Sequence, residues 1–227
     1  MPPWVQRFTL SQRIQHILLF LSLIVLALTG LSLMFHDTAL GQFMIRLEGG
    51  LQARGRIHRW SAVVLIVVAL YHHFSILFTV RGQKLVRDFL PHASDLKKIR
   101  QALSYAGGRQ ERHPDWGKFS LFQKAQYFGV ILGVLTMIIT GLFLWMGPAA
   151  ISLLPKWLMD LTLLVHGREG MLIFMILLFW HLYNVHLAPG NFPMHMSWLT
   201  GRITAEECRR LYPAEYRRLL EAGEIRE

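Results

Sequence analysis

The sequence predicts an all-α membrane protein, a bundle of four transmembrane helices, and three observations carry that prediction. The 227 residues are 53% hydrophobic and only 17% charged, with a mean hydropathy of +0.34. Soluble domains run at roughly one quarter charged residues. Four windows contain no Asp, Glu, Lys or Arg: 14–36, 60–80, 125–155 and 170–201, of 23, 21, 31 and 32 residues. A helix needs roughly 20 apolar residues to cross a bilayer, so each window holds one. The formal net charge of +10 gathers in the segments between windows, as it does in loops on one side of a membrane.

Each element follows from those windows. The first gives a span at about 14–36; its apolar run exceeds that of a secretory signal and no A-x-A cleavage site follows. The second gives 60–80. The third and fourth include flanking loop and give 125–147 and 160–188. The loop 81–124 should hold a short helix near Ser94–Tyr105, ended by Gly107-Gly108. In the tail 189–227, Thr204 with Glu207 three residues on reads as a capping box. An amphipathic surface helix should follow to about Leu220. The whole chain, 1–227, reads as a single membrane domain. Eighteen Lys and Arg fall in the N-terminus, the 81–124 loop and the tail, against six on the other side. That asymmetry predicts both termini in the cytoplasm. It also makes the basic charge a lipid-facing skirt, with no nucleic-acid partner expected. Cys208 is the one cysteine, so no internal disulfide, covalent haem motif or four-cysteine iron–sulfur site exists in the chain; Cys208 itself should be inert.

The histidines carry the chemistry. Of eleven, His16, His72, His73, His181 and His186 lie inside charge-free windows, and His58 and His166 at the entrances of the second and fourth spans. Intramembrane ionisable residues are costly and usually functional, although a single imidazole is more often a hydrogen-bonded packing residue. Spacing argues for more. His58 and His72 are about 40° apart around a helix and roughly 21 Å along it, and His166 and His181 about 60° and roughly 22 Å. Each helix then offers one imidazole near each membrane face. Two stacked bis-imidazole haems, with the porphyrins buried in the bundle core, match that layout. Zinc wants its ligands clustered, and a proton channel would use carboxylates that these windows lack. Arg13, Arg54, Arg56 and Arg168 flank the histidines and could pair with haem propionates or simply snorkel. A weak repeat accompanies them: Thr29-Gly30-Leu31 ends the first span and Thr140-Gly141-Leu142 the third.

Ordered over nearly the whole chain are Gln12-Arg13-Ile14-Gln15-His16, Ala27-Leu28-Thr29-Gly30, Gly55-Arg56-Ile57-His58, Gly117 to Lys124, Thr140 to Trp145, Leu164-Val165-His166 and His181-Leu182-Tyr183. With these the sequence resembles the membrane cytochrome b subunit, the gamma subunit, of respiratory formate dehydrogenases, with kin in thiosulfate reductase and nickel–iron hydrogenase complexes. The resemblance implies a four-helix anchor in the bacterial inner membrane holding two haems b. It would carry electrons between a periplasmic redox partner and quinone or menaquinone near the cytoplasmic face. That partner would be an iron–sulfur, hydrogenase, molybdoenzyme or multihaem cytochrome c subunit, and the assembly a possible oligomer. By position, His58 and His166 would hold the outer haem iron, and His16 and His181 the inner. Ser120 and Gln123 match the stretch lining the family's quinone site, with His73 as a further candidate. Ser120 replaces an asparagine there and Phe122 a glycine.

Two departures leave alternatives. The His166–His181 spacing is one residue wider than the family's, a difference that a one-residue π-bulge absorbs. His72 and His186 are extra: His72 opposes His181 instead of His16, as the repeat suggests, or a third haem exists. Two other functions compete with the di-haem cytochrome, namely a structural anchor without haem and a quinone-independent transmembrane conduit.

Overall fold

A computed structural model of the chain describes residues 4–90, 93–109, 115–188 and 192–225. Residues 91, 92 and 110–114 of the 81–124 loop, and 189–191, 226 and 227 of the tail, lie outside these. In chain order, β1 (Trp4–Gln6) leads to α1 (Leu10–Met34), and α2 (Ala39–Leu47) joins this to α3 (Gly50–Phe78). Then come α4 (Val80–Phe89), α5 (Ala93–Ala106) and α6 (Leu121–Met146). After α7 (Pro148–Leu153), α8 (Lys156–Met175) runs on as two π-helical stretches, Ile176–His181 and Tyr183–Leu187. The chain closes with α9 (Ser197–Thr200), β2 (Arg202–Thr204), α10 (Ala205–Leu211) and α11 (Pro213–Glu221).

Four helices are long and apolar enough to cross a membrane: α1, α3, α6 and the Lys156–Leu187 run. Between 6% and 17% of each apolar window is buried inside the chain. Continuous exposed apolar surface of that extent needs lipid or a partner to cover it. Each helix starts ahead of its charge-free window, because basic side chains at a helix entrance keep their charge in water while their stems lie along apolar surface. The fourth helix therefore encloses Asp160 and Glu169, which lie ahead of the 170–201 window. The helix anticipated near Ser94–Tyr105 is α5. α2, α4 and α7 were not anticipated; they are short, and α2 and α4 owe their starts to threonine caps, Thr38 and Thr79.

The chain divides into two compact units. The first comprises Met1–Arg13, His73–Gly129 and Met196–Glu227. Its β1 and β2 pair antiparallel, Val5 opposite Ile203. Val5, Ile203, Cys208, Tyr212, Leu219 and Ile225 form one core there. Arg7 is buried with its guanidinium 3.8 Å from the Tyr212 ring centroid, and its Nη2 donates to Lys118 O at 2.9 Å. Lys124, counted above with the basic skirt, is instead buried in an ion pair with Asp95 at 2.7 Å. Phe89 stacks on both Phe119 and Tyr127 at 4.0 Å. Thr204 and Glu207 form the anticipated capping box. The single tail helix does not form, because Pro213 has no N–H to continue α10 and instead opens α11. Cys208 is buried, and burial pushes its thiol up to about 11, so it stays protonated at neutral pH.

The second unit comprises Ile14–His72 and Val130–His195. It contains most of each spanning helix and four histidines that face one another in pairs.

Candidate cofactor site

His58 on α3 and His166 on α8 are brought together, with ring centroids 6.4 Å apart and planes 65° apart. The Thr-Gly repeat holds both rings. Thr29 Oγ1 lies 2.8 Å from His58 Nδ1, and Thr140 Oγ1 2.9 Å from His166 Nδ1. The glycine that follows each threonine lies beside the ring: a Cβ on Gly30 would make an ordinary contact with His58 Cε1 at 3.8 Å, whereas one on Gly141 would crowd His166 Cε1 at 3.1 Å. Arg54 Nε donates to the Thr29 carbonyl, so one of the basic residues flanking His58 is spent on the backbone beside it.

His16 on α1 and His181 at the end of the first π-helical stretch form a second pair, with centroids 6.3 Å and planes 50° apart. The π-helix explains the wide spacing. Fifteen α-helical residues would turn His181 about 60° from His166, and an extra residue accommodated in a wider turn removes most of one step of 100°. His181 thereby returns toward the position a fourteen-residue spacing would give. His72, the rival partner for His181, has its Nδ1 2.9 Å from Gln15 Oε1. Since an amide oxygen only accepts, His72 donates that bond.

The two separations test the cofactor reading. Two imidazole nitrogens each about 2 Å from one metal, on opposite sides of it, put their ring centroids roughly 6 Å apart. Both pairs have that spacing, and neither forms a cluster: among the described residues no three His, Cys, Asp or Glu gather as a metal site. Paired imidazoles without further protein ligands fit a metal whose remaining positions a macrocycle fills.

The other candidates are more dispersed. Arg13 Nη1 donates to Leu199 O at 2.6 Å in the first unit, which commits one of its donors. Arg56 and Arg168 are exposed, as is His73, and His186 follows His181 in the second π-helical stretch. Ser120 and Gln123 bond each other's backbone: Ser120 N–H donates to Gln123 Oε1 at 2.9 Å and Gln123 N–H to Ser120 Oγ at 3.3 Å. This is a capping box opening α6, and Thr9 and Gln12 make the same box at α1. Sequence reasoning noticed Thr29 and Thr140 only as a repeat. It overlooked Gln15, and also Glu169, whose Oε1 would lie 3.4 Å from a Cβ on Gly133.

The glycine geometry makes an asymmetric prediction. Gly141→Ala forces the His166 ring to tilt, whereas Gly30→Ala adds only an ordinary contact. The absorbance and potential of a cofactor that His58 and His166 would hold should change in Gly141→Ala and stay as in the parent in Gly30→Ala. Equal effects would place the ring elsewhere.

Residues 7–189 match the model of the family described as prokaryotic cytochrome b561. Two curated relatives are formate dehydrogenase subunits. The nitrate-inducible cytochrome b556(Fdn) subunit of Escherichia coli is 19% identical over 198 residues, 87% of this chain and 83% of that protein. The cytochrome b556 subunit of Haemophilus influenzae is 21% identical over 205 residues, 90% and 79% of the two chains.

Proposed function

The chain belongs to the prokaryotic cytochrome b561 family, and from that premise we propose that it is the di-haem b subunit of a membrane-bound respiratory oxidoreductase. It carries electrons across the bacterial inner membrane between a periplasmic redox partner and the quinone pool. That it is a multi-pass b-type cytochrome rests on the family and the four apolar helices. The finer reading rests on one observation, the two imidazole pairs at 6.4 and 6.3 Å. When bound, haem b supplies a one-electron couple in an apolar setting. The chain's own part is to present two axial nitrogens at each of two levels and to exclude water with the surrounding apolar side chains. The relatives are subunits of formate dehydrogenases by name, which supports a partner of that class.

Quinone exchange is assigned to Ser120 and Gln123 at the start of α6 and to His73 on α3, all in the first unit. Because Gln123 Oε1 is committed to the cap, its Nε2 is the donor left for a quinone carbonyl. It lies 3.5 Å from Tyr212 Oη, a distance too long for a strong bond. Ser120 Oγ keeps its proton for the same use.

The test is a reduced-minus-oxidised spectrum of the purified full chain with haem quantitation. It should show a b-type α band and two haems per chain. No band would leave the haem-free anchor, and a ratio near three would establish the third haem. The same preparation tests the quinone site: Gln123→Glu keeps the capping acceptor but removes the amide donor. Re-oxidation of the reduced chain by added quinone should slow, with both haems retained. Unchanged kinetics would move the site elsewhere.

A further inference from the structure

We propose that Thr29 and Thr140 are positioning residues that lock His58 and His166 in the tautomer carrying its proton on Nδ1, so that Nε2 of each ring offers its lone pair to the iron. This rests on the proposed haem site and adds what aims its ligands. Each threonine hydroxyl has a single proton. Thr29 Oγ1 lies 2.6 Å from Val25 O and 3.2 Å from Leu26 O, and Thr140 Oγ1 lies 2.6 Å from Thr136 O and 3.4 Å from Met137 O. A carbonyl oxygen only accepts, so each hydroxyl proton goes back to its own helix one turn earlier. The hydroxyl can then only accept from the imidazole. A neutral imidazole carries one proton, so Nδ1–H donates to Oγ1 and Nε2 is left unprotonated.

The device is installed twice by equivalent helices. α1 and α6 both open with a capping box that ends in glutamine. In both, twenty residues separate the capping hydroxyl from the clasping threonine, Thr9 to Thr29 and Ser120 to Thr140, and a glycine follows. Each helix thus clasps the histidine of the other helix in its own hairpin, α1 that of α3 and α6 that of α8. The clasp is that of the His58–His166 pair. Hydrogen bonds to the far nitrogen of a ligating imidazole orient the ring and raise its basicity.

The experiment compares Thr29→Val, Thr140→Val and the double variant with Thr29→Ser and Thr140→Ser in the haem-loaded full chain. Haem content and the midpoint potential of each haem are read. The valine variants should bind the haem of the His58–His166 pair roughly 10- to 100-fold more weakly. Its potential should rise as ligand basicity falls, while the other haem keeps its own potential and reports an intact fold. The serine variants, which keep the hydroxyl, should restore both quantities. His58→Ala is run in parallel. If it loses no haem, the proposed site itself fails. If it loses one haem while the valine variants keep parental affinity and potential, the site stands and the clasp is wrong. Serine variants as impaired as the valine ones would also overturn the clasp, since a purely steric role would explain both.

Discussion

Changing His58 or His166 to Ala should remove one haem b per chain, lowering the haem-to-protein ratio from two to one. In the proposed site each ring would hold the iron from one side, and the facing ring, 6.4 Å away by centroid, could not replace it. His36, the one other histidine on that side of the span, is an unsuitable substitute. It is exposed, its Nδ1 lies 2.9 Å from Leu33 O, and its Nε2 lies 3.0 Å from Asp37. Pyridine haemochrome quantitation of each purified variant measures the ratio, and the redox titration shows which haem is gone. Full haem content in either variant, with bis-imidazole spectra unchanged, would end the assignment.

His181→Ala should abolish the second haem, because both two-haem arrangements use it. The opposing ligand separates them. With His16 facing His181 at 6.3 Å, His16→Ala should lose the same haem as His181→Ala, and His72→Ala should retain two. His72→Ala removes a hydrogen bond to Gln15 without removing an iron ligand. Two intact haems after His181→Ala would sink both two-haem arrangements. Loss of a haem in His72→Ala with two retained in His16→Ala would return the choice to the repeat arrangement.

How the histidines pair was only partly readable from their positions. Counting 100° per residue places His58 and His72 on one face of α3, and this kept His72 open as an alternative ligand to His16. The choice lies in a contact the count cannot see: a π-helical segment turns His181 toward His16. A similar blind spot concerned Ser120 and Gln123. Their spacing fits a capping box as well as a quinone contact, and the helix start at Leu121 makes the cap real whatever else they do. Thr29-Gly30 and Thr140-Gly141 were visible as a repeat, but nothing in either triplet says that a histidine 29 or 26 residues onward is its partner.

The sequence by itself determined the four long apolar helices and the helical class, and placed histidines within or at the ends of those helices. In lipid each spanning helix must satisfy its own backbone hydrogen bonds, so whether a segment spans depends on its local run of apolar residues and on little else. The tertiary structure alone decided what lies outside that rule. It pairs Val5 with Ile203 across nearly the whole chain, buries Arg7 over Tyr212 and Lys124 against Asp95, and hides Cys208 in a core. It also sets imidazole against imidazole and hydroxyl against imidazole. Such contacts are directional bonds a few ångströms long between residues distant in sequence, and their energy exists only once the helices are packed.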